Sequence, residues 1–374
     1  MMMKRMCKIL LFVPILLILF SISAKAQTID DFDDQLRELK SQLSDDVIED
    51  LSEIGIDDYR AASEAISFSS VMKLLSDKLR ENLSAPVTLL ISVMSVILVT
   101  SVCESYRDSL SRTPMREVMG SVSAAAVVSL LSASLLPLVT AVSSVTAAAA
   151  RLMTLYIPVM IAILSFSGRM ISSAGYYSAM MTASSAVSEL SDRVIAPLMS
   201  FYLALSISSV LTDRVKLRGI CEMITKFVKW ALLFVMTLFT GVLSLKAVSA
   251  GAYDSVVSRG VRYSLSSFIP IVGASLSEAY RAISSSVGVL RSGVGVFVIM
   301  ALAVSFLPVM VRVVLMMLSV NLCKAAAETL SADTVRELLS AVSSALTVLF
   351  AVLISVLSVF VVSTAMMIGA GGAP

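Results

Sequence analysis

The residues that could do chemistry in this chain are charged side chains between two long apolar runs. They lie in the stretch 246–295, around a core that reads Phe-Ile-Pro-Ile-Val-Gly at 268–273. Charges at this spacing are incompatible with a plain membrane-spanning helix, because each buried charge needs a partner or water. We expect Arg259, Arg262 and Arg281 to line an outward cavity or to bind lipid headgroups. The charged residues are Asp254, Arg259, Arg262, Glu278, Arg281 and Arg291.

The backbone of the same stretch is predicted to leave regular helix. Pro270 removes a backbone donor, and Gly273 relaxes the backbone three residues later. Broken backbone at membrane depth persists only where it is buried in protein or faces a water-filled cavity. Residues 250–292 are therefore predicted to form a broken or re-entrant segment.

The next apolar run, 294–320, carries a proline and a buried charge. Pro308 predicts a kink, or two short segments that meet there. Arg312 costs several kcal/mol in lipid unless it is paired or hydrated, so it should face the bundle interior. Two interpretations stay open for Arg312: a pore-lining or assembly contact, or a snorkelling or paired cation. Gly293 and Gly295 predict close helix packing, within this chain or between copies of it.

Composition excludes most enzyme classes. The chain has no histidine, which removes Ser-His-Asp and Cys-His nucleophiles and histidine-ligated zinc. It has no phosphate-binding loop and no pair of carboxylates at helical spacing inside an apolar run. We therefore predict no enzymatic activity, no cofactor and no metal. The four cysteines form no C-x-x-C pair and are predicted to be free thiols.

Hydropathy predicts an all-α, polytopic helical membrane protein. The chain is 57% hydrophobic and only 15% charged, and it contains several apolar runs long enough to cross a bilayer. Loop charges under the positive-inside rule favour about eight spans, or ten if the broken segment crosses and returns. No basic cluster is interleaved with aromatic residues, so nucleic-acid binding is not expected.

The N-terminal part is predicted to be exported. Residues 1–26 resemble a secretory signal, with a basic start, a short apolar core and an Ala-Lys-Ala cleavage site; an uncleaved anchor is the alternative. Residues 27–85 contain 15 acidic and 6 basic residues. Leu39, Leu43, Val47 and Leu51 recur at helical spacing there, which predicts a small helical ectodomain with Gly55 ending its first helix. A second helix is predicted to follow, and its inward face is formed by Ala62, Ala65, Ile66, Met72, Leu75 and Leu79. A solvated spacer is the other interpretation.

The rest of the chain is predicted to be membrane-embedded. Residues 86–142 hold the first two spans, and 367–374 form a short tail. Between them, a shift of about 111 residues aligns Pro158 with Pro270 and Pro197 with Pro308. This pattern indicates an internal repeat, with copies at 143–248 and 249–366. Chance matches are common in a chain so rich in Ser, Ala, Val and Leu, so the repeat stays a hypothesis.

Several motifs in order resemble one protein family. They are Tyr253-Asp254, Arg259, Arg262-Tyr263, the 268–273 core, Leu276-Ser277-Glu278-Ala279, Gly293-Val294-Gly295, Phe306-Leu307-Pro308 and Arg312. Together they resemble the stage III sporulation protein AE family of endospore-forming bacteria. The chain departs from it at Ser266-Ser267, where Gly-Asn is expected, and at Arg262, where lysine is commoner.

The resemblance implies a place in the stage III sporulation complex that links mother cell and forespore. It implies a multi-pass membrane component of a trans-envelope, secretion-like channel, acting in assembly or conduction. The implied partners are a separate ATPase, other stage III membrane proteins and a forespore-side protein; self-association stays open. The rival hypothesis is a secondary transporter with its substrate site at the repeat interface.

Overall fold

The structure is a computed structural model of the 374-residue chain. It describes residues 37–56, 68–108, 114–166, 170–190 and 273–369, with 226–228, 230–231, 233–246 and the single positions 197, 223 and 256. Within these ranges every element of regular secondary structure is a helix, which confirms the prediction of an all-α protein.

Eight helices organise the described residues. In chain order they are α1 (Asp45–Glu53), α2 (Phe68–Asn82), α3 (Ser84–Asp108), α4 (Pro114–Phe166), α5 (Met170–Leu190), α6 (Lys226–Lys246), α7 (Gly273–Thr329) and α8 (Asp333–Gly369). A further helical turn at 37–41 precedes α1.

Helix α7 is the centre of the bundle. It contacts α1, α2, α3, α4 and α8, whereas α5 packs on α4 and α8. With 57 residues it is about 85 Å long, well beyond the roughly 30 Å hydrocarbon core of a bilayer. Pro308 lies inside α7, which continues through it as one helix. The two segments that the sequence suggested as an alternative to a kink at Pro308 are therefore not found.

Helices α7 and α8 form an antiparallel hairpin. The turn between them holds Ser331 at φ 56°, and the Ala332 amide donates to the Ala327 carbonyl at 2.9 Å. This left-handed residue and the amide bond that follows it satisfy carbonyls at the end of α7. Farther from the turn, the Ser343 hydroxyl donates to Oδ1 of Asn321 at 2.8 Å, which links the two helices directly.

Short polar links join the other helices. Thr100 of α3 donates to the Ser123 hydroxyl of α4 at 2.8 Å. Ser184 of α5 donates to the Ala150 carbonyl of α4 at 2.7 Å. Between apolar helices such hydroxyls contribute specificity, because burial of apolar area alone does not distinguish a helix neighbour from lipid.

Five helical stretches among the described residues are long and apolar enough to cross a membrane. They are Ser84–Val102, Val122–Ser165, Lys226–Lys246, Ser285–Thr329 and Asp333–Gly369. Helix α5 is not one of them, although the prediction of eight spans counts residues 170–188 as a span in order to balance the loop charges. The total of eight or ten spans and the internal repeat stay predictions, because part of the chain lies outside the described residues.

Helix α4 differs from the sequence prediction. Two spans were expected, with the division between 142 and 143, but α4 runs unbroken through Pro137 and Pro158. A proline in a packed helix is tolerated where neighbouring helices and hydroxyl groups satisfy the freed carbonyls. Its apolar part is 44 residues long, about twice what a bilayer requires. Arg151 is exposed on this part. An exposed arginine is less costly at the membrane surface than in the hydrocarbon core, so α4 is expected to leave the lipid near this residue.

The acidic N-terminal segment packs on the bundle through its apolar stripe. Leu39, Leu43, Val47 and Leu51 are all buried. Leu43 and Leu51 line a small cavity together with Phe297 of α7. Gly55 follows α1 at φ 85°, and the Ile56 amide donates to the Leu51 carbonyl at 2.9 Å, so the chain turns where the sequence indicated. The helix before this turn is shorter than expected, because α1 begins only after Ser44.

The face of α2 was predicted wrongly. Met72 and Leu79 were expected to point inward, but both are exposed, and Leu74 is buried instead. The reason is an ion pair: Nζ of Lys78 lies 2.9 Å from Oδ1 of Asp50 on α1, with side chains 13% and 10% exposed. Lys78 lies one turn after Leu74, so bringing the ammonium to Asp50 also turns Leu74 inward.

Lys78 stays charged throughout the neutral pH range. Burial works to lower its pKa, but the hydrogen bond and charge of Asp50, together with Glu81, raise that pKa above its ordinary value of 10.5. A raised lysine pKa means that the folded state binds the proton more tightly than the unfolded state. The stabilisation is therefore fully present below pH 10.5 and is lost only as pH rises through the folded-state pKa.

Lys78→Gln is expected to loosen α1 from α2, because it leaves the mostly buried Asp50 carboxylate without its cation. This pair lies between the exposed and fully buried cases, so we expect the free energy of opening α1 to fall by about 1–2 kcal/mol. Amide hydrogen exchange of residues 45–53 in the detergent-purified protein should then be roughly tenfold faster.

The matched control is Lys73→Gln, which removes the neighbouring ion pair between Lys73 and Glu53 in solvent. Exchange in α1 should change little in this variant, since exposed pairs contribute little. Equal acceleration in both variants would contradict the role assigned to Lys78.

Candidate functional site

Four residues of the predicted site lie outside the described residues. They are Asp254, Arg259, Arg262 and Pro270. The broken or re-entrant segment predicted at 250–292 can be compared with the structure from Gly273 onward. There it is helical, because Gly273 is the first residue of α7 and the helix continues without a break past 292. Glu278 and Arg281 lie in this first part of α7, and their side chains are not described.

Pro308 and Arg312 occupy the middle of the apolar part of α7. They are four residues apart, about one turn, and both are half-buried. Pro308 has no N–H to donate to the carbonyl four residues earlier. The Arg312 side chain makes no hydrogen bond or ion pair to any part of the chain that the structure describes. A half-buried cation in this setting can reach water, an anionic group or another protein.

Gly293 and Gly295 are buried in α7, as the packing hypothesis requires. At Gly295 the approach of α8 is very close: a Cβ atom there would overlap Cγ1 and Cδ1 of Ile368. The same Cβ would lie 3.6 Å from the hydroxyl of Tyr156 on α4. Gly295 thus marks the place where α4, α7 and α8 meet.

A buried polar cluster occupies this three-helix junction, and the sequence patterns did not predict it. It consists of Tyr156 of α4, Arg291 of α7 and Thr364 of α8, which we call the junction cluster; Ser363 precedes Thr364 in α8. Tyr156, Ser363 and Thr364 are fully buried, and Arg291 is 6% exposed. The Tyr156 hydroxyl lies within interaction range of the Thr364 hydroxyl and of the Arg291 guanidinium. However, neither hydroxyl makes a well-aligned hydrogen bond, and neither does Ser363.

Helices α5 and α6 bring further polar contacts to the same end of the bundle. The Tyr176 hydroxyl of α5 donates to the Met366 carbonyl at 3.5 Å, two residues after Thr364. Nζ of Lys246, at the end of α6, donates to Oγ of Ser178 at 2.9 Å. It also lies 3.4 Å from the Gly175 carbonyl. A second cation is thereby held next to the helix turn that carries Tyr176.

One signal in the sequence could have singled out Arg291. It is the only charged residue between Arg281 and Arg312, and glycines at 288, 293 and 295 surround it. A charge among small residues in an apolar run indicates a helix junction with a polar interior. The other cluster members, Tyr156 and Thr364, carried no such signal, because hydroxyl residues occur throughout the apolar runs of this chain.

The junction cluster is a hydrogen-bonding site and has no nucleophile–base pair. It offers hydroxyl groups and a permanent positive charge in a dry environment. Among the described residues, no three His, Cys, Asp or Glu side chains gather as metal ligands. Such a set can bind or orient a polar group, and it can hold helices in register.

Gly295→Ala is expected to separate α7 from α8, because the added methyl group overlaps the Ile368 side chain. We expect a loss of about 1–3 kcal/mol in stability, the usual cost of overpacking. Ile368→Ala in the same chain should restore much of it by removing the overlapping atoms. Thermal unfolding of the detergent-purified single and double variants measures both effects.

Gly288→Ala is the matched control, since a Cβ at this position meets nothing within 4 Å. There the substitution should be neutral or slightly stabilising through helix propensity. If Gly295→Ala behaved in the same way, or if Ile368→Ala gave no rescue, the close approach described here would be wrong.

Comparison with known proteins gives two matches and one negative result. The family model described as stage III sporulation protein AE matches residues 52–371. The stage III sporulation protein AE of Bacillus subtilis (strain 168) is 26% identical over 216 residues. That match covers 58% of this chain and 54% of the relative, so it spans about half the length of the relative. No solved structure matches this chain. Because the family model covers well over half of the chain, the protein belongs to the stage III sporulation protein AE family.

Proposed function

We propose that this protein is a multi-pass membrane component of the complex that connects mother cell and forespore at stage III of sporulation. Membership of the family supports a role in sporulation. Five helical stretches long and apolar enough to cross a membrane support a multi-pass arrangement. We further propose that the N-terminal segment lies outside the cytoplasm, next to the end of the bundle that carries Phe297.

The observation that carries the proposal is Arg312, a half-buried cation in the middle of an apolar helix. Such a charge is costly in lipid, so its position favours contact with a partner protein or with a water-filled path. Either contact suits a component that acts in assembly or conduction within a larger channel. Its proposed partners are a separate ATPase, other stage III membrane proteins and a protein on the forespore side. No enzymatic step is assigned to the chain.

A secondary transporter is the second candidate, and the junction cluster favours it. An enclosed polar site between three helices is where transporters bind their substrates. The two proposals differ in their need for partners. Uptake of a defined solute into liposomes that contain only this protein would support the transporter. Recovery of other stage III proteins with it from sporulating cells, without such uptake, would support the channel component.

Arg312→Gln is expected to reduce spore formation at least tenfold in a sporulating host that relies on this chain, because it removes the cation from α7. Arg312→Lys should retain much of the activity, since it keeps the charge. The measurement is the count of heat-resistant spores, with the amount of protein in the membrane fraction determined in parallel.

Val314→Ala is the control, because Val314 lies two residues away on α7 and is exposed. It should leave spore counts unchanged. Normal sporulation with Arg312→Gln at wild-type protein levels would remove Arg312 from the proposal and favour a snorkelling side chain.

A further inference from the structure

Helix α6 is the least buried of the five candidate membrane spans. Only 6% of its apolar stretch is buried inside the protein, against 28% to 50% for the other four. Among its described residues Leu243 alone is buried, and Nζ of Lys246 binds Ser178 of α5 at the same end of the helix. Val228 and Phe239 are partly buried against the core. One side of α6 thus packs on the bundle, and the rest of its surface is uncovered.

Three aromatic side chains occupy the uncovered side near the start of α6. They belong to Phe227, Trp230 and Phe234, which we call the aromatic row, and each is more than half exposed. The rings of Phe227 and Trp230 have centroids 6.3 Å apart, and those of Trp230 and Phe234 stack at 5.5 Å. Lys226 lies four residues before Trp230, on the same face of the helix, and is also exposed. The aromatic row therefore needs an apolar cover that the described bundle does not supply.

The length of α6 indicates that lipid provides this cover. Its 21 residues span about 30 Å, which equals the hydrocarbon thickness of a bilayer. A lysine stands at each end of α6. Long cations at helix ends bring the ammonium to the headgroups while the stem stays among apolar groups. A tryptophan one turn inside such a lysine is typical of the membrane–water interface.

The charge at the start of α6 selects the kind of lipid. Residues 213–229 contain five basic and two acidic side chains. The Lys226 ammonium makes no ion pair or hydrogen bond with any residue that the structure describes. An exposed ammonium at headgroup depth attracts anionic lipids, and further basic residues beside the span add to this attraction. Neutral headgroups would leave the positive charge uncompensated.

We propose that Lys226 and Trp230 bind the headgroup of an anionic phospholipid, and that the aromatic row anchors α6 in the same leaflet. The ammonium contacts the lipid phosphate, the indole N–H donates to an ester oxygen, and the rings lie among the upper acyl chains. The proposal rests on the multi-pass arrangement of the proposed function, in which α6 crosses the bilayer. It holds equally for a channel component and for a transporter.

Trp230 is the single tryptophan of the chain, so the intrinsic fluorescence of the full-length protein reports on this position alone. The purified protein is placed in bilayers with equal amounts of phosphatidylcholine and phosphatidylglycerol. Bromine is carried by the acyl chains of the phosphatidylglycerol in one preparation and of the phosphatidylcholine in the other. Because bromine quenches tryptophan only at short range, the two preparations show which lipid lies beside Trp230. We expect an apparent affinity for phosphatidylglycerol about fivefold above that for phosphatidylcholine.

Lys226→Gln should bring this ratio of affinities close to one, because it removes the ammonium and keeps most of the side-chain length. Arg80→Gln is the matched control, since it removes an exposed cation from α2, and its ratio should equal that of the wild type. A ratio near one in the wild type, or a ratio that Lys226→Gln leaves unchanged, overturns the proposal.

A second measurement tests separately whether α6 crosses the membrane. In a Trp230→Phe background, Leu238→Trp moves the tryptophan about 12 Å along the exposed side of the helix. Lipids brominated near the chain end should quench this moved tryptophan more strongly than Trp230. If they do while Trp230 shows no preference for phosphatidylglycerol, the span stands and the lipid site is overturned. If no brominated lipid quenches either tryptophan, both are overturned, and a second copy of the chain or water covers α6 instead.

Discussion

Burial of α7 by five neighbouring helices is the contact on which the rest of the bundle depends. An apolar helix satisfies its own backbone hydrogen bonds, so neighbours are selected by side-chain fit and by a few polar links. Helix α8 returns along α7 from the Ser331 turn and approaches most closely at Gly295. Helix α4 completes the same junction with Tyr156. This alignment decides which polar residues of the three helices lie next to one another.

The class of fold was predictable, because long apolar runs without strand-like alternation favour helices that cross a membrane. It was harder to predict whether a helix continues through a proline. Pro137 and Pro158 would break an isolated helix, but packing against neighbouring helices offsets the lost hydrogen bonds in α4. The face of α2 was also missed, because periodicity considers apolar residues alone. The ion pair between Lys78 and Asp50 lies on the face of α2 that buries Leu74, whereas Met72 and Leu79 are exposed.

Two parts of the site were predictable: the close helix packing at the glycines and the presence of isolated charges. Glycines and a lone arginine in an apolar run indicate close packing and a polar interior, and Gly295 fulfils the first expectation. The other members of the junction cluster could not be found in this way, because Tyr156 lies 135 residues before Arg291 and Thr364 lies 73 residues after it. Which hydroxyl groups meet there depends on the register of α4 and α8 against α7, and no local pattern encodes that register.

The N-terminal segment packs at the level of Phe297, a residue that is synthesised much later. Leu43 leaves the ribosome more than 250 residues before Phe297, which lines the same small cavity. During most of translation the segment therefore lacks the α7 surface on which it buries its leucines, and such exposed intermediates are prone to aggregate. Its high content of Asp and Glu keeps the waiting segment soluble through mutual repulsion. Final docking has to be one of the last events in maturation, after α7 has been inserted.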